Sequence, residues 1–209
     1  RIARDAAGTA RKWTRQTLLA EFRGAVRLKV APNYRRDIDI LQSFCLAGLA
    51  DVSDEIAGFR VERPLLEKNI RNRLAEYRLV NLSGLPGCGK SALLKRIATV
   101  DATNGPILFL KSDRLTGDSW LTFATALGLQ HRIVADLLTE IGATGTPILF
   151  IDGIDRVRPD QKGILTDLLR AIEENEHLSN WKVLASSRDQ GLEAYRAWFP
   201  ASFYRGTGI

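Results

Sequence analysis

The 209-residue sequence has no methionine, only two cysteines and two histidines, and no apolar run near the ~18 residues needed to cross a membrane. The N-terminus is basic but has no apolar stretch of the kind that makes a signal peptide. Cys45 and Cys88 show no metal-ligand spacing, and a disulfide through Cys88 would obstruct the glycine-rich stretch around it, so a reducing cytoplasm and no membrane are expected. Internal repeats and low-complexity segments are also missing. A chain that starts at Arg1, has no methionine and stops at Gly206-Thr207-Gly208-Ile209 is expected to be a piece of a longer protein.

What is present is the composition of a globular protein: 45% hydrophobic and 26% charged residues, enough for one sizeable α/β domain with a helical appendage. The net charge of +6 is unevenly placed. Residues 1–36 hold ten Lys/Arg against Asp5 and Glu21, a balance of +8, while the remainder totals −2. This arm reads first as a solvated helix face, with nucleic acid, an acidic partner or another domain as the alternatives; the body gives no sign of binding nucleic acid. Trp13, Phe22 and Tyr34, interleaved with the charges, suit helix packing as well as base stacking.

The strongest signal is Gly84-Leu85-Pro86-Gly87-Cys88-Gly89-Lys90-Ser91, which fits the phosphate-loop pattern G-x-x-x-x-G-K-[ST] at every fixed position. Glycines let consecutive backbone N–H groups turn inward toward phosphate oxygens. Lys90 supplies a mobile positive charge to the β/γ-phosphates and Ser91 a hydroxyl to Mg²⁺, with Ala92 in the first turn of the helix that follows. Leu79–Ser83 reads as a buried strand before the loop and Ser91–Ala98 as a helix after it. ATP or ADP with Mg²⁺ is the expected ligand. No N-K-x-D segment is present to read guanine, and no acceptor pocket for a small-molecule kinase can be located.

Helical spacing is found over residues 2–23, 33–50, 64–77, 118–128, 131–141, 160–176 and 191–198, and apolar strand runs over 106–111, 147–152 and 181–187, with a fifth strand from Phe203. Unbroken apolar strands alternating with helices call for a parallel sheet covered on both faces. The expected fold is thus a three-layer P-loop NTPase sandwich with a mostly parallel five-stranded sheet. A basic helical segment, 1–57, precedes the ATPase domain, 58–209.

A second acidic element completes the site. Pro147–Ile151 is an apolar strand ending in Asp152, which would join Ser91 in holding Mg²⁺ at the C-terminal edge of the sheet. Motor-type ATPases carry a water-activating glutamate at the next position, where this chain has Gly153; the next carboxylate, Asp155, is the candidate for orienting water. Arg188, at the end of the fourth strand, is placed to reach a γ-phosphate.

Together these elements resemble the STAND class of signal-transduction NTPases, the branch with the NACHT and NB-ARC domains. Asp152-Gly153-Ile154-Asp155 resembles the NACHT form of the Walker B motif, with Arg156 where a second acid is usual, and Ser186-Ser187-Arg188 is similar to the T-[ST]-R sensor. Phe59-Arg60-Val61-Glu62-Arg63 resembles the segment that cups adenine, Glu62 replacing its glycine, which implies Val61 and Arg63 in nucleotide binding. The resemblance implies a switch that is ADP-bound at rest and exchanges to ATP and forms homo-oligomers when triggered. It also implies effector and sensor domains outside this chain, a downstream winged-helix lid that the sequence stops short of, and a prokaryotic signalling or defence role. Two alternatives stand beside it: an AAA+-like ATPase acting on nucleic acid, and a non-hydrolysing nucleotide-binding scaffold.

Overall fold

The computed structural model describes residues 32–56, 58–103, 105–188 and 198. The helix expected over 2–23, the fifth strand from Phe203 and, apart from Trp198, the helix at 191–198 lie outside these residues. No helix among the described residues is long and apolar enough to cross a membrane.

Four strands form one parallel sheet: β3 (Leu79–Ser83), β4 (Ile107–Lys111), β5 (Ile148–Asp152) and β6 (Lys182–Ser187), in the order β3-β6-β5-β4. Their centres are apolar on both faces, and Leu79, Phe109, Phe150, Val183 and Leu184 are fully buried. Strands covered on both sides cannot alternate polar with apolar residues, which is why the sequence shows unbroken runs rather than period-two patterns. β6, the last of the described strands, lies between β3 and β5, so Leu82 pairs with Ser186 and Ser83 with Ser187. That insertion brings the ends of the three strands that build the site together.

Six helices are described: α1 (Arg35–Ala50), α2 (Pro64–Glu76), α3 (Lys90–Asp101), α4 (Trp120–Ala126), α5 (Val134–Ile141) and α6 (Lys162–Glu174). Five lie within segments read as helical, most with an end or both trimmed by one to three residues, while α3 runs past the expected Ser91–Ala98 at both ends. α2 begins with Pro64, whose fixed φ and missing N–H suit the first turn. α4 begins with a reciprocal cap between Ser119 and Thr122. α2 packs on β3 and β6, and α3 on β4, β5 and β6, while α4 and α5 pack on α6. A short hairpin, β1 (Glu55–Ile56) with β2 (Phe59–Arg60), precedes α2.

α1 is fastened to this body. Leu41, Cys45 and Leu49 recur on one stripe, are buried, and belong to the same core as the sheet. β4 forms an edge of the described sheet, and the Phe109 N–H donates to Cys45 Sγ at 3.1 Å, so a helix side chain satisfies a backbone group of that strand. Burial pushes the Cys45 thiol up to about 11, keeping it neutral and inert. At the start of α1, Asp37 is fully buried and accepts the backbone N–H groups of Gln130 at 2.9 Å and His131 at 2.8 Å, with the His131 Nδ1 also at 2.8 Å. Tyr34 covers the imidazole at a ring separation of 4.5 Å.

Burial works to raise the Asp37 pKa, but the Gln130 and His131 donors outweigh it and hold the carboxyl below its ordinary value. A depressed folded pKa contributes stability above the unfolded value of about 3.9, and that contribution is lost as pH falls through the folded pKa. Asp37→Asn is expected to cost about 1–3 kcal/mol at neutral pH. Urea denaturation of both proteins between neutral and strongly acidic pH should show this difference shrinking toward the acid end.

Candidate nucleotide site

The loop from Gly84 to Gly89 joins β3 to α3, and Gly89 caps the helix at φ +87°, a left-handed conformation that side chains disfavour. The chain therefore enters α3 with the first-turn N–H groups, which the helix itself does not use, directed at the cleft. Lys90 Nζ donates to the carbonyls of Gly84 at 2.6 Å and Leu85 at 2.9 Å and lies 3.6 Å from Cys88 Sγ, so its ammonium is folded over the loop.

Asp152, at the end of β5, has a side chain only 1% exposed. Its Oδ1 accepts from Ser91 Oγ at 2.8 Å and from Ser186 Oγ at 2.9 Å, and Ser186 Oγ in turn accepts the Gly153 N–H at 2.8 Å. A serine hydroxyl and a carboxylate this close are hard oxygen donors of the kind Mg²⁺ prefers, and the loop beside them suits the phosphates through which that ion is usually shared. The residues present fit magnesium. Arg156 reaches the other oxygen, with its NH2 group 3.5 Å from Asp152 Oδ2.

Gly153 has φ +74°. A Cβ placed there would stand 2.5 Å from Arg156 Nε, so the arginine folds back through space that any side chain at 153 would fill. Asp155 lies in the short 3₁₀ turn Ile154–Arg156 and faces Arg188: Arg188 Nε is 3.1 Å from Asp155 Oδ2, and the Arg188 N–H donates to Oδ1 at 3.3 Å. The Arg188 side chain is 59% exposed, against 10% for Asp155.

A cleft of about 410 Å³ connects these groups, within the size range of small-molecule sites. Pro86, Gly87, Gly89, Lys90, Ser91 and Ala92 line it together with Asp152, Asp155, Arg188, Val61 and Arg63. Gly84, Leu85 and Cys88 act from behind that lining: the first two carbonyls hold Lys90, and Cys88 O accepts from Arg63 NH1 at 2.8 Å. The segment around the hairpin is strapped onto α3, because Lys95 donates to Val52 O at 2.7 Å and pairs with Asp54 at 2.9 Å. Arg96 reaches Val61 O at 3.3 Å and Glu67 at 2.9 Å. Ser186, Arg156, Glu67 and Arg96 also line the cleft, although sequence spacing had not singled them out as ligands. Ser186 and Arg156 stood inside recognised motifs, so a signal was present, but their partner Asp152 depends on strand order and backbone conformation.

The parallel sheet, the glycine loop entering α3 and the buried acid two strands away define a P-loop NTPase. The model of the ATPase family associated with various cellular activities (AAA) matches residues 80–194, more than half of the chain, and the protein belongs to that family. Among solved structures, the RuvB Holliday junction branch migration motor of Thermotoga maritima is similar over 75% of this chain and 46% of its own length, at 19% identity and a TM-score of 0.40. No curated protein matches the sequence.

Gly153→Ala should cost about 1–2 kcal/mol through the left-handed backbone, with displacement of Arg156 adding to it. Urea denaturation measures that loss. A fully stable Gly153→Ala protein would mean that the turn after Asp152 is not held as described.

Proposed function

We propose that this domain is the nucleotide-controlled switch of a STAND-type signalling or defence protein that holds ATP or ADP with Mg²⁺ and hydrolyses ATP slowly. The observation that carries this reading is the stretch after the magnesium acid. Position 153 has no side chain, and the next carboxylate, Asp155, has both oxygens engaged by Arg188. Neither position offers a carboxylate ready to activate water, which suits retention of nucleotide better than rapid turnover.

In this reading Ser91 and Asp152 hold Mg²⁺, which when bound neutralises charge on the transferring phosphoryl group. Lys90 exchanges its contacts with Gly84 O and Leu85 O for the β/γ-phosphates. Arg188 turns from Asp155 to a γ-phosphate, and Asp155, released, orients the attacking water. The same two side chains thus distinguish ATP from ADP and permit slow hydrolysis. Val61 and Arg63, held against the loop and α3, border the base.

Residues 1–57 lead into the ATPase domain at 58–209, with α1 already sharing its core. A cytoplasmic location, effector and sensor domains and a lid beyond this chain, and oligomerisation in the ATP state belong to the same reading. A turnover ATPase acting on nucleic acid is the second reading, favoured by AAA-family membership and the +8 charge of residues 1–36.

Equilibrium binding of ADP and of a non-hydrolysable ATP analogue tests the switch. Lys90→Ala should weaken both ligands at least about tenfold, the loss of one charge-assisted phosphate contact. Arg188→Ala should weaken the triphosphate analogue selectively and leave ADP close to wild type. Equal weakening of both ligands by Arg188→Ala would remove Arg188 from the γ-phosphate.

A further inference from the structure

We infer that Arg156 is a built-in counter-cation for the magnesium carboxylate, competing with the metal for Asp152 and so reducing the dependence of nucleotide binding on Mg²⁺. This rests on the nucleotide reading of the cleft and goes beyond it, because it assigns a role to the residue that stands where a second acid would be expected.

The charges around Asp152 carry the inference. A carboxylate with a side chain 1% exposed is costly to bury when its donors are neutral. Both neutral donors, Ser91 and Ser186, are on Oδ1. Oδ2 faces the Arg156 guanidinium, the cation that pairs with Asp152 among the described residues. The other cations at this end of the cleft are directed elsewhere: Lys90 to the loop carbonyls and Arg188 to Asp155.

Arg156 reaches this position because residue 153 has no Cβ to exclude it. Its side chain remains 43% exposed and forms part of the cleft wall, so the guanidinium can turn from the carboxylate to a polyphosphate with little rearrangement. With no metal ion bound, Arg156 offsets the Asp152 charge that would otherwise repel the phosphates. With Mg²⁺ held by Ser91 and Asp152, that offset is redundant, and two cations at one carboxylate oppose each other. Arg156 and Mg²⁺ are therefore negatively coupled through nucleotide affinity, which a thermodynamic cycle measures without any turnover.

The cycle uses ADP binding to the 209-residue chain, with excess Mg²⁺ and with a chelator, for wild type, Arg156→Gln and Arg156→Lys; thermal melts establish that each protein is folded. Arg156→Gln should weaken ADP chiefly in the chelator, so that the strengthening produced by Mg²⁺ grows at least about fivefold over wild type. Arg156→Lys, which keeps the charge, should stay near the wild-type ratio. An Arg156→Gln ratio that is unchanged or smaller, including equal weakening in both buffers, overturns the role of Arg156 while leaving the cleft a nucleotide site. If wild type binds no ADP in either buffer, the nucleotide reading falls, and this role with it.

Discussion

The site depends on one buried carboxylate. Asp152 ends a strand whose other residues are core, and a charge in that position must be met by donors from several elements at once. Ser91 supplies one from the first turn of α3 and Ser186 another from β6, and Ser186 also ties down the Gly153 N–H beyond the strand. The same hydrogen bonds that make burial of Asp152 tolerable lock the phosphate loop, the acid and β6 into one register. Stability and ligand geometry therefore share a cause here, and the insertion of β6 between β3 and β5 makes it available.

The residues after Asp152 determine how such a site is used. A glycine at 153 removes the position from which a motor-type glutamate would act and opens the space into which Arg156 folds. The pair Asp155 and Arg188 then forms a second charged contact at the rim, open to solvent on the arginine side and shielded on the carboxylate side. One contact lies on Asp152 and the other on Asp155, so in the proposed reading nucleotide binding exchanges internal ion pairs for phosphate contacts. That exchange suits a domain whose nucleotide identity matters more than its rate.

Much of this was legible in the sequence because it is local. The phosphate loop is a contiguous pattern, and the four described strands are short apolar runs bounded by loop or polar residues; Leu79–Ser83 matches its expected bounds. Helix ends shifted by one to three residues, inward for most and outward for α3, since periodicity does not record where the last turn frays. The hairpin at 55–60 was missed because two-residue strands leave no period to detect. Contacts of Asp152 with Ser186 and Arg156 could not be read because they require the strand order and the left-handed turn at Gly153. Asp155 was legible as an acid, but its engagement by Arg188 was not. Cys45, unremarkable in sequence, joins α1 to the edge of the sheet.

Steady-state ATP hydrolysis with Mg²⁺, in the presence and absence of DNA, most directly measures whether the domain holds nucleotide and turns it over slowly. A turnover number far below the ~10 s⁻¹ typical of enzymes, unchanged by DNA, is the predicted result. Rapid hydrolysis that DNA stimulates would contradict it and identify a motor.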